Sequence, residues 1–457
     1  MSVGRSPPSA GPIRPYEFPR IDRRRLSNGM DVRLVSQDTG PIMTGMIVLR
    51  AGETAVPARD AGLAALTGDA LEGGTSRLSS KELARALEDV GASFGAATGW
   101  DSTTVAVSCH AEHLARAMPL LAEMVRRPAF EEAEFERYRQ QRLATAVQRR
   151  MNPSALAVDA HARFVFADGA TYGRPLGGVE ASLSHLGADN ARAFAGCRYG
   201  PAEAAAVIVG NLDPADTMAV AEERLGGWQR RVEALPEPNA NPRLRDRAVH
   251  VVNRPGSVQS QIRVGHVGVD RAVDDYFATI VLNLILGGSF SSRLNLNLRE
   301  RHGFTYGVTS SFAPRRGRGP FAVSTAVENA VTGAATAEIF REIEGIVASG
   351  ADRDEVETAR NYLAGVFPLR LETTGQIASR IAGMIVYDLG DDYYRSYRER
   401  VERVTRADVA AAARRHIRPA ELCTVVVGDA AEVAGQLERL DIGPVHVHDE
   451  IGPGAGE

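Results

Sequence analysis

Pro201-Ala202-Glu203-Ala204-Ala205-Ala206-Val207-Ile208-Val209-Gly210 returns later in the chain as Pro419-Ala420-Glu421-Leu422-Cys423-Thr424-Val425-Val426-Val427-Gly428. Each copy follows a helical stretch opened by an Ala-Asp pair, Ala188-Asp189 in the first and Ala407-Asp408 in the second. The offset is 218 residues between the glycines and 219 between the aspartates. A nearly constant offset across several landmarks marks an internal repeat of two related units.

Between the units lies RRVEALPEPNANPRLRDR, from Arg230 to Arg247, with three prolines and no apolar period, the composition of a linker. The implied organisation is a flexible N-terminal segment over 1–22, a first domain over 23–229, the linker over 230–247, a second domain over 248–442 and a tail over 443–457. In the first unit, Leu26 to Val35 reads as a hairpin in which Asn28-Gly29 supplies a type I′ turn. Strands are expected at 42–50, 92–98 and 102–108. Helices are expected at 60–71, 80–90 (opened by a Ser79/Ser80 cap with Glu82 behind it), 112–126, 131–149 and 154–166. The second unit repeats the scheme, with strands at 248–253, 259–267, 306–313 and 320–326 and helices at 274–286, 332–348, 353–368 and 374–389. This order predicts an α+β fold of two homologous units, each an antiparallel sheet with helices packed on it.

Composition narrows the function. The 457 residues are 44% hydrophobic and 24% charged, ordinary for globular domains, and the net charge of −4 gives no ground for a nucleic-acid or anionic-membrane partner. Lys81 is the only lysine, so 52 of the 53 basic residues are arginine, a skew that fits a GC-rich bacterial genome. Cys109, Cys197 and Cys423 lie far apart without a CxxC pair and read as small buried hydrophobes. No apolar run is long enough for a membrane span, and the first 25 residues hold no apolar signal core. A cytoplasmic location is therefore expected, or a periplasmic one if a leader has been removed.

The hairpin, Asp60-Ala61-Gly62-Leu63-Ala64, Gly73-Gly74-Thr75 and Tyr172-Gly173-Arg174-Pro175-Leu176-Gly177 resemble the pitrilysin/insulinase-like zinc metallopeptidases. The paired units fit as well, and the resemblance runs from Arg23 to Ile442. Active members carry HxxEH on a helix: histidines at i and i+4 share one helical face and one zinc, and the glutamate is the base for metal-bound water. By this resemblance the three motif positions are Ala65, Gly68 and Asp69, a methyl, a hydrogen and one acid. The region of the further glutamate ligand, Leu143-Ala144-Thr145-Ala146-Val147, holds no carboxylate. No metal is therefore expected on this chain.

Other histidines offer no substitute. Cys109-His110-Ala111-Glu112-His113 reads as a strand–helix junction, His446-Val447-His448 as a surface tail and His302 as a surface histidine. In the second unit, Arg299 and Tyr306 match an arginine–tyrosine pair with which relatives bind the substrate backbone and stabilise the oxyanion. Gly287 and Gly288, in Leu286–Leu294, resemble the mobile glycine loop preceding that pair. Arg315-Arg316-Gly317-Arg318 reads as a solvated cationic turn. Relatives hold peptides as an added strand along a sheet edge, which singles out 92–98 and 306–313.

The resemblance implies a non-catalytic, substrate-binding subunit of a heterodimeric peptidase acting on unfolded or short peptides. An HxxEH-bearing partner would supply zinc and the base, and this chain Arg299, Tyr306, Gly287 and Gly288. The alternative is a zinc-free scaffold like the core subunits of respiratory cytochrome bc1. A homodimer is expected to be possible when the chain is expressed alone, and an opening motion of the two halves is expected about the linker.

Overall fold

The computed structural model describes Gly11 and residues 14–38, 40–243 and 246–449. Two six-stranded sheets carry the repeat. The first contains β1 (Asp22–Arg25), β2 (Asp31–Ser36), β3 (Ile42–Leu49), β4 (Ser93–Thr98), β5 (Thr103–His110) and β6 (Ala204–Gly210), in the order β1-β2-β6-β3-β5-β4. The second contains β7 (Ala248–Asn253), β8 (Gln259–Val267), β9 (Val308–Phe312), β10 (Pro320–Glu328), β11 (Cys423–Gly428) and β12 (Val445–His448), in the order β12-β7-β11-β8-β10-β9. Five positions correspond one to one. The sixth differs: an N-terminal strand closes one sheet and a C-terminal strand the other.

The helices of the first half are α1 (Leu63–Asp69), α2 (Ser80–Glu88), α3 (Leu114–Arg126), α4 (Glu132–Met151), α5 (Pro153–Val165), α6 (Glu180–Leu183), α7 (Ala188–Arg198) and α8 (Pro214–Ala221). Those of the second are α9 (Tyr276–Asn283), α10 (Thr332–Ser349), α11 (Arg353–Val366), α12 (Thr374–Val386), α13 (Tyr397–Glu402), α14 (Arg406–His416) and α15 (Ala430–Glu438). The expected cap on α2 is a reciprocal box in which Ser79 N–H donates to Glu82 (2.9 Å) and Glu82 N–H donates to Ser79 Oγ (3.4 Å).

Each sheet is mixed, which corrects the expected antiparallel arrangement. β6 runs parallel to β2, β11 parallel to β7, and β12 parallel to β7. The repeat motif is itself the parallel strand: it returns after a long excursion, as a parallel pairing requires. The hairpin exists between β1 and β2, but its turn is not type I′. Only Gly29 has positive φ (+87°), and Gly29 N–H donates to Leu26 O at 2.9 Å. This is a three-residue loop closed by a left-handed glycine, one class longer than the two-residue turn.

β6 is buried along its whole length and β3 at all but its first residue. Strands apolar on both faces need cover on both, and here the halves exchange helices. α12 of the second half packs on β3 and β6 of the first sheet, with Ile377, Ile381 and Ile385 sharing a core with Met46, Val48, Val207 and Val209. α5 of the first half packs on β8 and β11 of the second, where Leu156, Ala157 and Ala160 meet Val267, Cys423 and Val425. Each fully buried Ile or Leu contributes about 1.5–3 kcal/mol, so the exchange ties the halves into a common core. That restricts an opening motion about the linker within one chain. The linker is itself attached along its course: Ala167 N–H donates to Asn241 O (2.9 Å) and Glu233 N–H to Cys197 O (3.0 Å).

Several local expectations are revised. The described part of the N-terminal segment is anchored by Phe18, buried against Tyr394 with ring centroids 5.3 Å apart; residues 1–10, 12 and 13 lie outside the described residues. The supposed surface tail forms β12, in which His448 Nε2 is 3.0 Å from His250 Nδ1; residues 450–457 lie outside. Cys109 and Cys423 are buried, but Cys197 is exposed. The cationic turn is an inter-half latch: Arg315 stacks 4.5 Å from both Trp100 and Tyr172, and Arg316 N–H donates to Asp101 at 3.0 Å.

Candidate functional site

α1 begins where Gly62 turns the chain with φ +92°, and its first-turn N–H groups face a buried acid. Gly62 N–H donates to Glu53 Oε1 at 2.5 Å, and Arg174 stands 3.6 Å from the same oxygen. Glu53 is wholly buried, and burial pushes its carboxyl up to about 7 despite Arg174 and the Gly62 N–H, which pull the other way. Arg174 also donates to Glu53 O (3.0 Å) and Val56 O (2.8 Å). The stretch beginning Tyr172-Gly173-Arg174 thus docks beneath the start of α1. The docking is close: a Cβ on Gly178, which has φ +79°, would lie 2.3 Å from Ala61 O.

Ala65, Gly68 and Asp69 follow along α1, and their surroundings do not fit a zinc site. Ala65 is buried, with its backbone hydrogen-bonded to the Glu53 carboxyl. A Cβ on Gly68 would lie 2.3 Å from Thr98 Oγ1 on β4, so edge-strand packing fills the space a base would need. Asp69 is ion-paired with Arg142 of α4, whose Nε donates at 2.9 Å and whose Nη2 donates to the same oxygen. Arg142 directly precedes the Leu143–Val147 stretch. α4 therefore presents a guanidinium to Asp69 one residue before the stretch in which the resemblance sets the further ligand. Burial, then the charge of Asp69, raises the carboxyl of nearby Glu72. Among the described residues, no group of three His, Cys, Asp or Glu is placed to hold a metal ion.

In the second half, α9 runs into a π-helical turn at Leu284–Gly288, and a second such turn spans Asn295–Arg301. Gly287 and Gly288 thus sit in a helical turn, Gly287 buried and Gly288 exposed. A Cβ on Gly287 would meet Ser310 N of β9 at 2.6 Å. Arg299 lies in the second turn, stacked 4.1 Å above the exposed ring of Phe290, with Nε 3.6 Å from Glu300. Tyr306 precedes β9 instead of starting it and is 97% exposed. Asn295 fixes this region: its amide donates to Val308 O (2.7 Å) and Ser289 O (3.1 Å), and Val308 N–H donates back to its Oδ1 (3.2 Å).

The motif positions stand beside β4 and the Arg299–Tyr306 segment beside β9. Both strands are free edges of their sheets. The structure does not join the two groups; it gives each its own edge. Sequence reasoning missed Arg142, Glu53, Phe290 and Asn295. Asn295 had a signal, as one of two asparagines alternating with Leu294, Leu296 and Leu298, whereas Arg142 had none because its partner is 73 residues away. Cys109 to His113 is the expected junction, with Glu112 3.3 Å from His110 and 3.6 Å from His113.

Family models match this architecture: one described as insulinase (peptidase family M16) over residues 32–171 and one as peptidase M16 inactive domain over 185–363. The chain belongs to the pitrilysin-like M16 peptidase family. It is 25% identical over 291 residues to an uncharacterized zinc protease of Rickettsia bellii, covering 64% of this chain and 69% of that one. It is 27% identical over 319 residues to an uncharacterized zinc protease of Streptomyces coelicolor, covering 67% and 68%. The fold is similar to a peptidase M16 inactive domain from Pseudomonas fluorescens (TM-score 0.83, 24% identity, 90% and 98% covered). It is also similar to a chain in complex III2 of Candida albicans (TM-score 0.77, 14% identity, 92% and 99% covered). No helix among the described residues is long and apolar enough to cross a membrane.

Proposed function

We propose that this chain is the non-catalytic, substrate-binding subunit of a two-chain zinc peptidase. A homologous partner bearing HxxEH supplies the metal and the general base. The observation that carries this reading is the state of the motif helix: Gly68 is closed by Thr98, and Asp69 is neutralised by Arg142. An unfolded or short peptide adds as a strand along an open edge, where backbone hydrogen bonds give affinity without demanding sequence. Arg299 offers a fork of donors to a peptide carbonyl, and the Tyr306 hydroxyl donates to the developing oxyanion. The exposure of Tyr306 supports this role, since a tyrosine with so little packing contributes little to its own fold. Phe290 and Asn295 act as positioning residues for the arginine and its turn.

The experiment is to purify the chain alone and with its HxxEH partner, then measure bound zinc and peptide cleavage. The lone chain is expected to hold no stoichiometric zinc and to cleave nothing, while the pair does both. One equivalent of zinc with robust cleavage by the lone chain overturns the assignment. The likeness to a complex III2 chain favours a second reading, a zinc-free scaffold. On that reading, Tyr306→Phe leaves every activity of the assembly unchanged.

A further inference from the structure

On the second half, β8 leads into a loop carrying Arg271, α11 ends just before Arg370, and α12 carries Arg380. These three guanidiniums border one cavity of about 270 Å³ whose other walls are largely aromatic, including Tyr276, Tyr393 and Tyr394. No lining residue is acidic. Among the described residues, none of the three arginines has a carboxylate within ion-pairing distance. Elsewhere in the chain Arg293 pairs with Glu355 (2.6 Å), Arg33 with Asp391 (2.8 Å) and Arg174 with Glu53, whereas Arg126, Arg263 and Arg315 are part-buried on neutral partners: a carbonyl, a serine hydroxyl and two aromatic rings.

Arg271 is the most telling, being only 9% exposed. Its support is neutral: Nη2 donates to the Tyr393 hydroxyl at 2.6 Å, and the guanidinium stacks 3.7 Å from the Tyr276 ring. Burying a charge without an opposite charge is costly, and gathering three like charges around one cavity adds repulsion. An anion in the cavity removes both costs.

We propose that this pocket is a binding site for a multiply charged oxyanion, phosphate or clustered carboxylates, gripped by Arg271, Arg370 and Arg380 and by the tyrosine hydroxyls. The Tyr393 hydroxyl accepts from Arg271, so its own proton is available to the ligand. Burial raises the hydroxyls of Tyr393 and Tyr394, which keeps them protonated donors. The volume exceeds that of one phosphate and admits pyrophosphate or neighbouring acidic side chains of a peptide. Asn283, on the pocket wall, accepts a hydrogen bond from Ser310 Oγ of β9 at 3.0 Å, so a ligand here abuts the edge strand through one side chain.

Calorimetric titration of the full chain with pyrophosphate, with tri-glutamate and with tri-lysine tests the site. At least one anion is expected to bind with Kd below about 1 mM, and tri-lysine not at all. Binding of pyrophosphate alone assigns a free phosphate ligand; binding of tri-glutamate, with or without pyrophosphate, assigns peptide carboxylates or an oxyanion site open to both. The double variant Arg370→Gln/Arg380→Gln alters the pocket's less buried arginines and is expected to weaken binding at least tenfold. Its unliganded melting temperature should be unchanged or raised, because repulsion is relieved. Failure of both anions to bind, or equal binding by the double variant, overturns the proposal.

Discussion

The motif helix α1 and the glycine turn at Leu284–Gly288 each pack against the edge strand of their own sheet, β4 and β9. The offset of 219 that relates Asp189 to Asp408 also carries Gly68 onto Gly287. In both, a glycine is pressed against an edge strand of its sheet, β4 in one and β9 in the other. The obstruction differs: Gly68 faces the movable hydroxyl of Thr98, whereas Gly287 faces the backbone N of Ser310. One copy is a short helix sealed by an ion pair, and the other continues into the turns that present Arg299 and Tyr306. On the proposed function the first copy contributes no ligands and the second contributes donors, as a subunit that completes a partner's site requires.

The largest effect should come from the second copy. In the proposed complex with an HxxEH-bearing chain, Arg299→Ala and Tyr306→Phe are each expected to lower kcat by on the order of 10²–10³-fold, the usual loss for one oxyanion donor. Melting temperatures should hold, and unchanged kinetics would remove both roles. Gly287→Ala comes next, with a loss of about 3 kcal/mol in denaturant unfolding, because backbone cannot rotate away. Gly68→Ala should cost only about 1 kcal/mol, partly offset by the helix propensity of alanine, and Thr98→Ala should recover it. Equal costs at the two glycines would break the comparison.

Glu53 sharpens it further, as a wholly buried acid beneath the first copy. Its carboxyl is raised to about 7, so the folded state binds its proton more tightly than the unfolded chain does. The stabilisation is complete below the ordinary carboxylate range and is lost as pH rises through about 7. Relative to Glu53→Gln, the native chain should lose about 3 kcal/mol across that window. Melts at a series of pH values measure this difference, and parallel curves would refute it. The smallest effect is Arg142→Ala, whose part-exposed pair with Asp69 contributes at most about 1 kcal/mol.

Much of the fold was legible because it rests on local chemistry. The cap at Ser79, the apolar repeat strands and the bounds of β7 and β8 follow from residue type and period. The hairpin was legible but its turn class was not: Asn28 can adopt positive φ, and only the pairing of β1 with β2 decides whether it does. Mixed pairing was missed because a strand's partner and direction depend on residues far away in sequence. The same reason hid the latch at Arg315. Its three arginines look like any solvated turn until Trp100 and Tyr172 close over one of them.

By itself the sequence determined that the chain is duplicated and that each copy is α+β, and by resemblance it set Ala65, Gly68 and Asp69 at the family's ligand positions. Those facts are properties of residues in order. Only the tertiary structure decided that α5 and α12 change places between the copies, that Arg142 faces Asp69, and that β4 and β9 are open edges. Each of these joins groups distant in sequence, and neither burial nor an unpaired edge exists until the chain has chosen its neighbours.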